Sequence, residues 1–311
     1  MEQIERAAHV RYTSAAGLGE ALPGADALFV WDFQSSALEH AWSAADRLRW
    51  VHIASAGVDP VLFPAMRDSD VPLTNSRGVF EHPLAEYVLG LVLLFAKDFG
   101  TTIDLQRQGR WQHRETQRVA GTRALIVGTG PIGRSIAGLL RAVGIRVAGV
   151  GRRASTDDPD FGEVYPSDEL REHLPDADYV IAVAPLTPAT EGMFDAAAFA
   201  AMKPTARFIN VGRGALVVTD DLINAARGEV FAGAVLDVFD TEPLPADSPL
   251  WSLPNVLVSP HMSADVTGWL NALVELFADN FQRWRGGRAL RNVVDKQLGY
   301  VPTDLSASSV G

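Results

Sequence analysis

Short, uninterrupted apolar runs alternate with amphipathic stretches through the middle of the chain. Uninterrupted runs are typical of parallel strands buried on both faces, and apolar positions three or four residues apart are typical of helices. The apolar runs predict strands at 124–127, 147–150, 179–184, 206–211, 231–238 and 256–259. The amphipathic stretches predict helices at 131–143, after Ser167 as an N-cap, and at 220–227, closed by Gly228 as the C′ residue. Because strands and helices alternate, we predict a parallel, doubly wound sheet.

The first hundred residues show the same alternation on a smaller scale. Apolar runs there predict strands at 10–13, 27–31 and 50–54. A long helical segment at 83–108 begins apolar and ends polar, as a helix passing from one domain to another would. A second long helix is predicted at 265–284, after the last strand.

The end of the chain is expected to return to the first domain through Asn292-Val293-Val294. From Thr303 the composition turns to Ser and Ala, which predicts a frayed end. Two phrases nearly repeat, at 22–26 and 174–178, each before a predicted strand. Either both domains share a doubly wound plan, or the repeat is ordinary loop chemistry that recurs by chance.

Composition indicates a globular protein with two domains. The chain has 311 residues, of which 47% are hydrophobic and 21% charged. The absence of cysteine excludes disulfides, thiolate metal sites and a thiol nucleophile, and we predict no metal site. The formal net charge of −11 disfavours nucleic acid as a partner, because such a chain repels phosphate backbones.

No stretch of the sequence predicts a membrane span. The most apolar stretch, 87–96, is about half the length that a spanning helix needs. The N-terminus is charged and lacks a long apolar core, which argues against a signal peptide. We therefore expect a soluble, cytoplasmic protein.

A glycine-rich turn follows the 124–127 strand and opens the 131–143 helix. Gly128, Gly130 and Gly133 have the spacing that lets a chain turn tightly and bring backbone N–H groups close to a pyrophosphate. Pro131 and Ile132 begin the helix, whose N-terminus favours an anion. The strand–turn–helix context predicts a dinucleotide site.

Two arginines follow the next strand and bear on the cofactor. Sites that prefer NAD usually place a carboxylate there, for the ribose 2′-hydroxyl. Here Arg152 and Arg153 occupy that place, and forked guanidiniums can pair with a 2′-phosphate. We predict NADP(H) in preference to NAD(H); the alternative is a solvated basic pair.

Three polar residues follow three separate predicted strands. In open parallel sheets, ligands bind at the edge formed by the carboxyl ends of the strands. Arg213 can hold a substrate carboxylate and polarise its carbonyl, and His261 can donate a proton near neutral pH. Glu242 can orient the histidine and favour its charged form. Taken alone, each residue could be an ordinary surface arginine, exposed acid or loop histidine without a catalytic role. Together they predict carbonyl reduction.

These motifs resemble the D-isomer-specific 2-hydroxyacid dehydrogenase family, in particular its glyoxylate/hydroxypyruvate reductase branch, over about 27–294. The family's arginine, glutamate and histidine fall on the three residues above. The resemblance implies two doubly wound domains. A flavodoxin-like substrate domain, 1–97 plus 286–311, would carry an inserted Rossmann cofactor domain, 98–285.

The resemblance also implies further ligand contacts. The aspartate that bonds the nicotinamide carboxamide falls on Asp237, and the Pro-Leu-Thr loop beside the cofactor ribose begins at Pro185. Val211, at the end of its predicted strand, is a further candidate for cofactor contact. The loop whose amides hold the substrate carboxylate matches 55–59, with Ala56 and Gly57 as substrate-binding candidates; an anion nest would explain its small residues.

Departures from the family pattern refine this reading. The arginine pair replaces the family's common acid. Arg77 is an added arginine in a loop expected to face the cleft, where it either contacts a ligand or is solvated. Glu242 in place of glutamine argues against the formate dehydrogenase branch. The polar arm 106–118 is where such proteins clasp a partner as homodimers, although Trp111 could instead pack within its own chain.

The sequence therefore predicts an NADPH-dependent reductase of small 2-oxo acids that yields D-2-hydroxy acids. Two alternatives remain open. One is phosphite oxidation by the same three residues, against which the arginine pair speaks mildly. The other is a dinucleotide-sensing binding protein without turnover.

Overall fold

The computed structural model describes residues 1–302, which form two compact units. Unit one consists of Met1–Phe80 together with the described residues from Val266 onward, and unit two is Glu81–Asp265. The domain division at 97/98 and 285/286 implied by the resemblance stays a prediction. The predicted frayed end from Thr303 lies outside the described residues.

The strands of the described residues bear out the predicted alternation. They are, in chain order, β1 (Leu28–Val30), β2 (Val51–Ile53), β3 (Leu73–Thr74), β4 (Arg123–Val127), β5 (Arg146–Gly151), β6 (Ser155–Asp158), β7 (Gly162–Pro166), β8 (Tyr179–Ala182), β9 (Arg207–Asn210), β10 (Gly233–Leu236) and β11 (Val256–Val258).

The α-helices are mostly short, with long ones at the starts of unit two and of the returning segment. They are α1 (Glu2–Glu5), α2 (Leu18–Ala21), α3 (Ala37–Ala41), α4 (Pro64–Asp68), α5 (Glu81–Ala96), α6 (Phe99–Arg107), α7 (Pro131–Ala142), α8 (Leu170–His173), α9 (Ala196–Ala201), α10 (Thr219–Arg227) and α11 (Trp269–Arg285). Among residues 1–302, none of the helices combines the length and the apolar composition needed to cross a bilayer.

Unit two is built on one eight-stranded sheet in the order β11-β10-β9-β8-β4-β5-β7-β6. Every pairing is parallel except that of β6 with β7. The strand order reverses between β4 and β8, the kind of switch point beside which ligands bind in open α/β sheets. The parallel strands place the residues that follow β4, β5, β9, β10 and β11 along one edge.

Side chains of β4 alternate between two cores on opposite faces of this sheet. Leu125 and Val127 belong to one cluster, and Ala124 and Ile126 to the other. Phe208 in β9 is also fully buried. Removing each large apolar side chain from water contributes roughly 1.5–3 kcal/mol. Burial on both faces explains why these strands read as continuous apolar runs.

Unit one has a three-stranded parallel sheet in the order β1-β2-β3. Val293 forms an antiparallel bridge with Thr74, so the returning tail joins this unit as expected. The α/β class predicted from the sequence is confirmed, with a small parallel sheet and a larger, mostly parallel one.

Several local predictions are wrong. No strand forms at 10–13. The single helix predicted at 83–108 is two helices, because Asp98 adopts a left-handed conformation (φ 48°) between α5 and α6. The helix predicted at 265–284 begins only at Trp269, after Gly268 at φ 90°.

Two predicted helix ends differ as well. Ser167 is not an N-cap; it starts a 3₁₀ turn that runs into α8, and it makes no side-chain capping bond. Gly228 is the C-cap of α10 with φ −80°, and Glu229 takes the left-handed conformation instead (φ 51°). A glycine after a helix predicts its end well, but the left-handed position can fall one residue later.

Candidate active site

The glycine-rich turn has the form that a dinucleotide site needs. A Cβ on Gly128 (φ 120°) would lie 2.6 Å from the backbone nitrogen of Ala184, and one on Gly133 would lie 1.9 Å from the Gly128 carbonyl oxygen. A Cβ on Gly130 would meet nothing within 4 Å. Packing therefore demands the first and third glycines, while the second leaves the backbone open to a ligand at the start of α7. This fits a pyrophosphate bound by backbone N–H groups.

The end of β5 packs against the same turn. A Cβ on Gly151 would lie 2.5 Å from Oγ1 of Thr129, the residue between the first two motif glycines. Arg152 and Arg153 follow at once, and both are exposed. The two predicted cofactor-binding features are thus brought together at one edge of the sheet.

An ion-pair cluster that the sequence did not predict fixes the segment after the arginines. Arg134, in the first turns of α7, donates a forked pair of hydrogen bonds to Asp158, both at 2.9 Å, and a third to Asp160 at 2.6 Å. Burial would raise the pKa of the Asp158 carboxyl, but the Arg134 hydrogen bond and the amides of Asp160 and Phe161 lower it overall. The β6–β7 hairpin is therefore anchored to the helix that the glycine turn opens.

The loop from Pro185 to Thr187 closes on Thr190. Oγ1 of Thr190 accepts a hydrogen bond from the Thr187 amide at 2.9 Å and donates one to the Pro185 carbonyl at 2.7 Å. Pro185 is exposed just past β8, whereas Val211, just past β9, is buried and donates its amide to the Ala182 carbonyl. Their contacts with a cofactor stay predictions.

Glu242 and His261 are in direct contact. His261 Nδ1 lies 2.7 Å from Glu242 Oε2, and the other carboxylate oxygen accepts the Phe239 amide at 2.8 Å. The two residues follow β10 and β11, which are adjacent and parallel. The sequence placed both at strand ends, and the structure brings them together.

The carboxyl group of Glu242 is held in its charged form. Burial would raise the pKa of Glu242, but the hydrogen bond with His261, the Phe239 amide and the charges of His261 and Arg213 lower it overall. A carboxylate at this contact stabilises a protonated imidazole. It also fixes the ring so that Nδ1 faces the acid and Nε2 faces away.

Arg213 is held by the strand before it. Asn210, the buried last residue of β9, accepts the Gly212 amide at 3.1 Å and donates to the Arg213 carbonyl at 2.9 Å. A Cβ on Gly214 would lie 1.9 Å from the carbonyl carbon of Phe239, so the arginine loop packs directly on the loop of Glu242. Asn210 was not predicted; its one signal is a polar residue inside an apolar run.

Asp237 organises the histidine loop. Its side chain accepts Ser259 Oγ at 2.5 Å and the amides of Met262 and Ser263, each at 3.0 Å, while its carbonyl accepts the His261 amide at 2.8 Å. His261 itself has a left-handed backbone (φ 52°), which a non-glycine residue adopts only when its surroundings hold it. The predicted nicotinamide contact of Asp237 stays a prediction.

Within unit one, the loop matched to substrate binding has the polarity of an anion nest. The carbonyls of Ser55, Ala56 and Gly57 accept hydrogen bonds from the Ser76 amide (2.8 Å), Asn75 Nδ2 (2.5 Å) and Ser55 Oγ (2.5 Å). Within residues 1–302, no protein acceptor receives a hydrogen bond from the amides of residues 56–58. Successive donors turned away from protein acceptors suit a carboxylate.

Arg77 directly follows Asn75 and Ser76, the two residues that donate hydrogen bonds to the carbonyls of this loop. Its guanidinium donates to the carbonyls of Val301 and Pro302, at 3.3 and 3.4 Å. The predicted contact of Arg77 with a ligand stays a prediction.

The arm predicted to clasp a partner is anchored at its base. Arg114 donates to Asp98 Oδ2 at 3.2 Å and to Thr102 Oγ1 at 2.8 Å. Trp111 is fully exposed, so the alternative that it packs within its own chain is wrong. Among the described residues, no group of three metal-binding side chains is clustered.

Comparison with known proteins identifies the family of this chain. Residues 89–263 match the family model of the D-isomer specific 2-hydroxyacid dehydrogenase NAD binding domain. The chain is 33% identical to a glyoxylate/hydroxypyruvate reductase A of Serratia proteamaculans, over 82% of this chain and 82% of that protein.

Two solved structures are similar over most of their length. A D-isomer specific 2-hydroxyacid dehydrogenase family protein from Aeromonas salmonicida has a TM-score of 0.82 at 34% identity and 95% coverage of both chains. An NADPH-dependent glyoxylate/hydroxypyruvate reductase from Sinorhizobium meliloti, in complex with NADP and sulfate, has a TM-score of 0.80 at 32% identity, covering 92% of this chain and 89% of that one. With its NAD(P)-binding domain and its two sheets, this chain belongs to the D-isomer specific 2-hydroxyacid dehydrogenase family.

Proposed function

We propose that this protein reduces a small 2-oxo acid of the glyoxylate or hydroxypyruvate type to the D-2-hydroxy acid, with NADPH as the preferred reductant. The observation that carries the proposal is the 2.7 Å contact between His261 Nδ1 and Glu242 Oε2, beside the loop of Arg213. The reductases from Serratia proteamaculans and Sinorhizobium meliloti support the substrate class.

The roles of the three side chains follow from their chemistry. A bound nicotinamide supplies the hydride for the carbonyl carbon. The Arg213 guanidinium pairs with the substrate carboxylate and polarises the carbonyl. His261 donates its Nε2 proton to the carbonyl oxygen, because Nδ1 is engaged by Glu242. The 2-oxo acid gains one hydride and one proton, and His261 is left neutral.

The cofactor preference rests on the exposed pair that follows β5. Arg152 and Arg153 can form forked, charge-assisted bonds with a 2′-phosphate, and residues 151–154 contain no carboxylate to bond a free 2′-hydroxyl. The Sinorhizobium meliloti structure contains NADP, which supports the same choice.

We further propose a homodimer that uses the 106–118 arm. A fully exposed tryptophan on an arm anchored by Arg114 is the kind of side chain that a protein interface buries. Sedimentation equilibrium should give twice the monomer mass, and Trp111→Ser should weaken the association. A wild-type protein that sediments as a monomer at micromolar concentration would overturn this part of the proposal.

The decisive experiment for the activity is a substrate profile. NADPH oxidation is followed with glyoxylate, hydroxypyruvate, pyruvate and phenylpyruvate, and the product is resolved on a chiral column. We expect the highest kcat/KM with glyoxylate and hydroxypyruvate, and a D product from hydroxypyruvate. Tight NADPH binding without turnover of any 2-oxo acid would overturn the proposal in favour of a dinucleotide sensor.

A further inference from the structure

A fully buried histidine lies in unit one, in the strand that leads into the nest-like loop of residues 55–59. His52 lies in the centre of β2 with none of its surface exposed. Its ring packs among the aromatic rings of Phe29, Trp50 and Phe277, with centroids 5.4–6.1 Å apart. A polar ring in such a place costs stability unless its nitrogens are hydrogen-bonded, so the partners of His52 decide what it is for.

Both ring nitrogens of His52 have partners on β3 and just after it. Nδ1 lies 2.7 Å from Thr74 Oγ1, and Nε2 lies 3.3 Å from Ser76 Oγ. Trp50 Nε1 donates to the same Thr74 oxygen at 2.9 Å. Ser76 Oγ in turn donates to the Ile53 carbonyl at 2.9 Å.

The fixed donor Trp50, the fixed acceptor carbonyl of Ile53 and the shortest contacts between them assign a direction to this chain of hydrogen bonds. The Trp50 indole can only donate, so the Thr74 hydroxyl accepts from it. The Thr74 proton has two acceptors within reach, His52 Nδ1 at 2.7 Å and the Val51 carbonyl at 3.4 Å, and we assign it to the shorter contact with His52. His52 must then carry its proton on Nε2 and donate it to Ser76, whose hydroxyl proton goes to Ile53. Burial lowers the pKa of His52 to about 3, in keeping with a neutral ring.

Ser76 connects this chain of hydrogen bonds to the loop of residues 55–59. Its amide donates to the Ser55 carbonyl at 2.8 Å, and its neighbour Asn75 donates to the Ala56 carbonyl at 2.5 Å. With its hydroxyl bonded to both His52 and Ile53, Ser76 ties the carboxyl end of β2 to that of β3. The loop carbonyls are thereby turned inward, which leaves the amides of 56–58 for an anion.

We propose that His52 is a positioning residue that fixes the substrate-carboxylate loop through Ser76. This inference rests on the proposed function only in naming the anion as the carboxylate of a 2-oxo acid. The neutral Nε2–H tautomer is the essential state, because only that form donates to Ser76 while accepting from Thr74.

The test compares four variants with the wild-type protein. Ser76→Ala removes the hydroxyl that links His52 to Ile53, and His52→Leu removes both ring nitrogens, which contact Thr74 and Ser76. His52→Gln keeps a donor near the position of Nε2 and should rescue. Ser69→Ala is the control, since Ser69 is a half-buried serine of the same unit that bonds the Met66 carbonyl, away from the loop.

Three quantities are measured on each protein: KM for glyoxylate, KM for NADPH, and the dissociation constant of oxalate from the NADP⁺-loaded protein by calorimetry. We expect Ser76→Ala and His52→Leu to raise the glyoxylate KM and the oxalate dissociation constant by about tenfold, as for one lost polar interaction. The KM for NADPH should stay within twofold, and His52→Gln and Ser69→Ala should resemble the wild type.

The outcomes separate this inference from the proposed function. Wild-type values for oxalate and glyoxylate in both Ser76→Ala and His52→Leu would overturn the positioning role and leave the reductase standing. A wild-type protein that binds oxalate but reduces no 2-oxo acid, with oxalate weakened in Ser76→Ala, would uphold the positioning role and overturn the reductase. No oxalate binding and no turnover in the wild type would overturn both. Ring ¹⁵N shifts that place the His52 proton on Nδ1 would also overturn the role.

Discussion

Nδ1 of His261 lies 2.7 Å from Oε2 of Glu242, and the neighbouring carboxylate oxygen is fixed by the Phe239 amide. The contact joins the loops that follow two adjacent parallel strands. It places the carboxylate of Glu242 against Nδ1 of the histidine, so that Nε2 faces away from the acid. We therefore expect His261 and Glu242 to determine how the rate of the reaction varies with pH.

Glu242→Gln should move the alkaline limb of the reductive kcat/KM profile to lower pH by roughly 1–2 units. The lowered pKa of Glu242 keeps the carboxylate charged through the neutral range, where it favours the protonated imidazole that donates the proton. The uncharged amide removes the negative charge that stabilises the protonated proton donor. Asp240→Asn is the control, since Asp240 lies in the same loop but bonds Thr219. An unmoved limb in Glu242→Gln would show that the acid does not tune the histidine.

Ser259→Ala should lower kcat by about tenfold or more while changing the KM for NADPH little. Ser259 donates to Asp237 at 2.5 Å and contacts Tyr87 Oη at 2.7 Å, and this network holds the left-handed backbone of His261. Loss of the donor to a buried carboxylate also costs about 1–3 kcal/mol of unfolding free energy. Stopped-flow turnover and urea unfolding measure the two effects.

Tyr87→Phe is the matched variant for that test. It removes only the outer hydroxyl and leaves the Ser259–Asp237 bond in place. We expect its kcat to stay within threefold of the wild type. A Tyr87→Phe protein as impaired as Ser259→Ala would mean that α5, rather than Asp237, holds the histidine loop.

The sequence predicted the features that depend on strand order. Once alternating strands and helices imply a parallel sheet, Arg213, Glu242 and His261 must follow strands at the same edge. The glycine turn was predictable for the same reason, since its strand and helix are both strongly patterned. Both features depend on the order of strands and helices along the chain, which the hydrophobic periodicity of the sequence predicts directly.

Features that depend on tertiary partners were not predicted. The polar run 155–160 shows no apolar alternation, and it forms a hairpin because Arg134 and Arg141 bind its acids and carbonyls. His52 reads as one more residue of a buried run, and only the distances to Thr74 and Ser76 reveal its role. The 10–13 run has strand-forming residues, but within residues 1–302 no strand pairs with it.

Asp158→Asn should destabilise the protein by about 1.5–3 kcal/mol at pH 7, the range for a hydrogen bond to a charged group. Because the folded-state pKa of Asp158 lies below its unfolded value, the stabilisation is complete above that unfolded value, near 4, and is lost as pH falls through the lower folded-state pKa. The thermal unfolding temperatures of the two proteins should therefore converge as the pH falls below about 4. Asp157→Asn, which changes an exposed acid of the same strand, should have little effect at any pH.

The arginine pair after β5 gives the sharpest test of cofactor choice. Arg152→Ala with Arg153→Ala should raise the KM for NADPH by about 10–100-fold, the equivalent of one or two charge-assisted hydrogen bonds, and should change the KM for NADH less than threefold. Arg146→Ala is the matched control, because it removes an exposed positive charge from the opposite end of the same strand. If the control raises the NADPH KM as much as the double variant does, the effect is long-range charge. If the double variant raises both KM values equally, the pair does not read the 2′-phosphate, and the preference for NADPH must be abandoned.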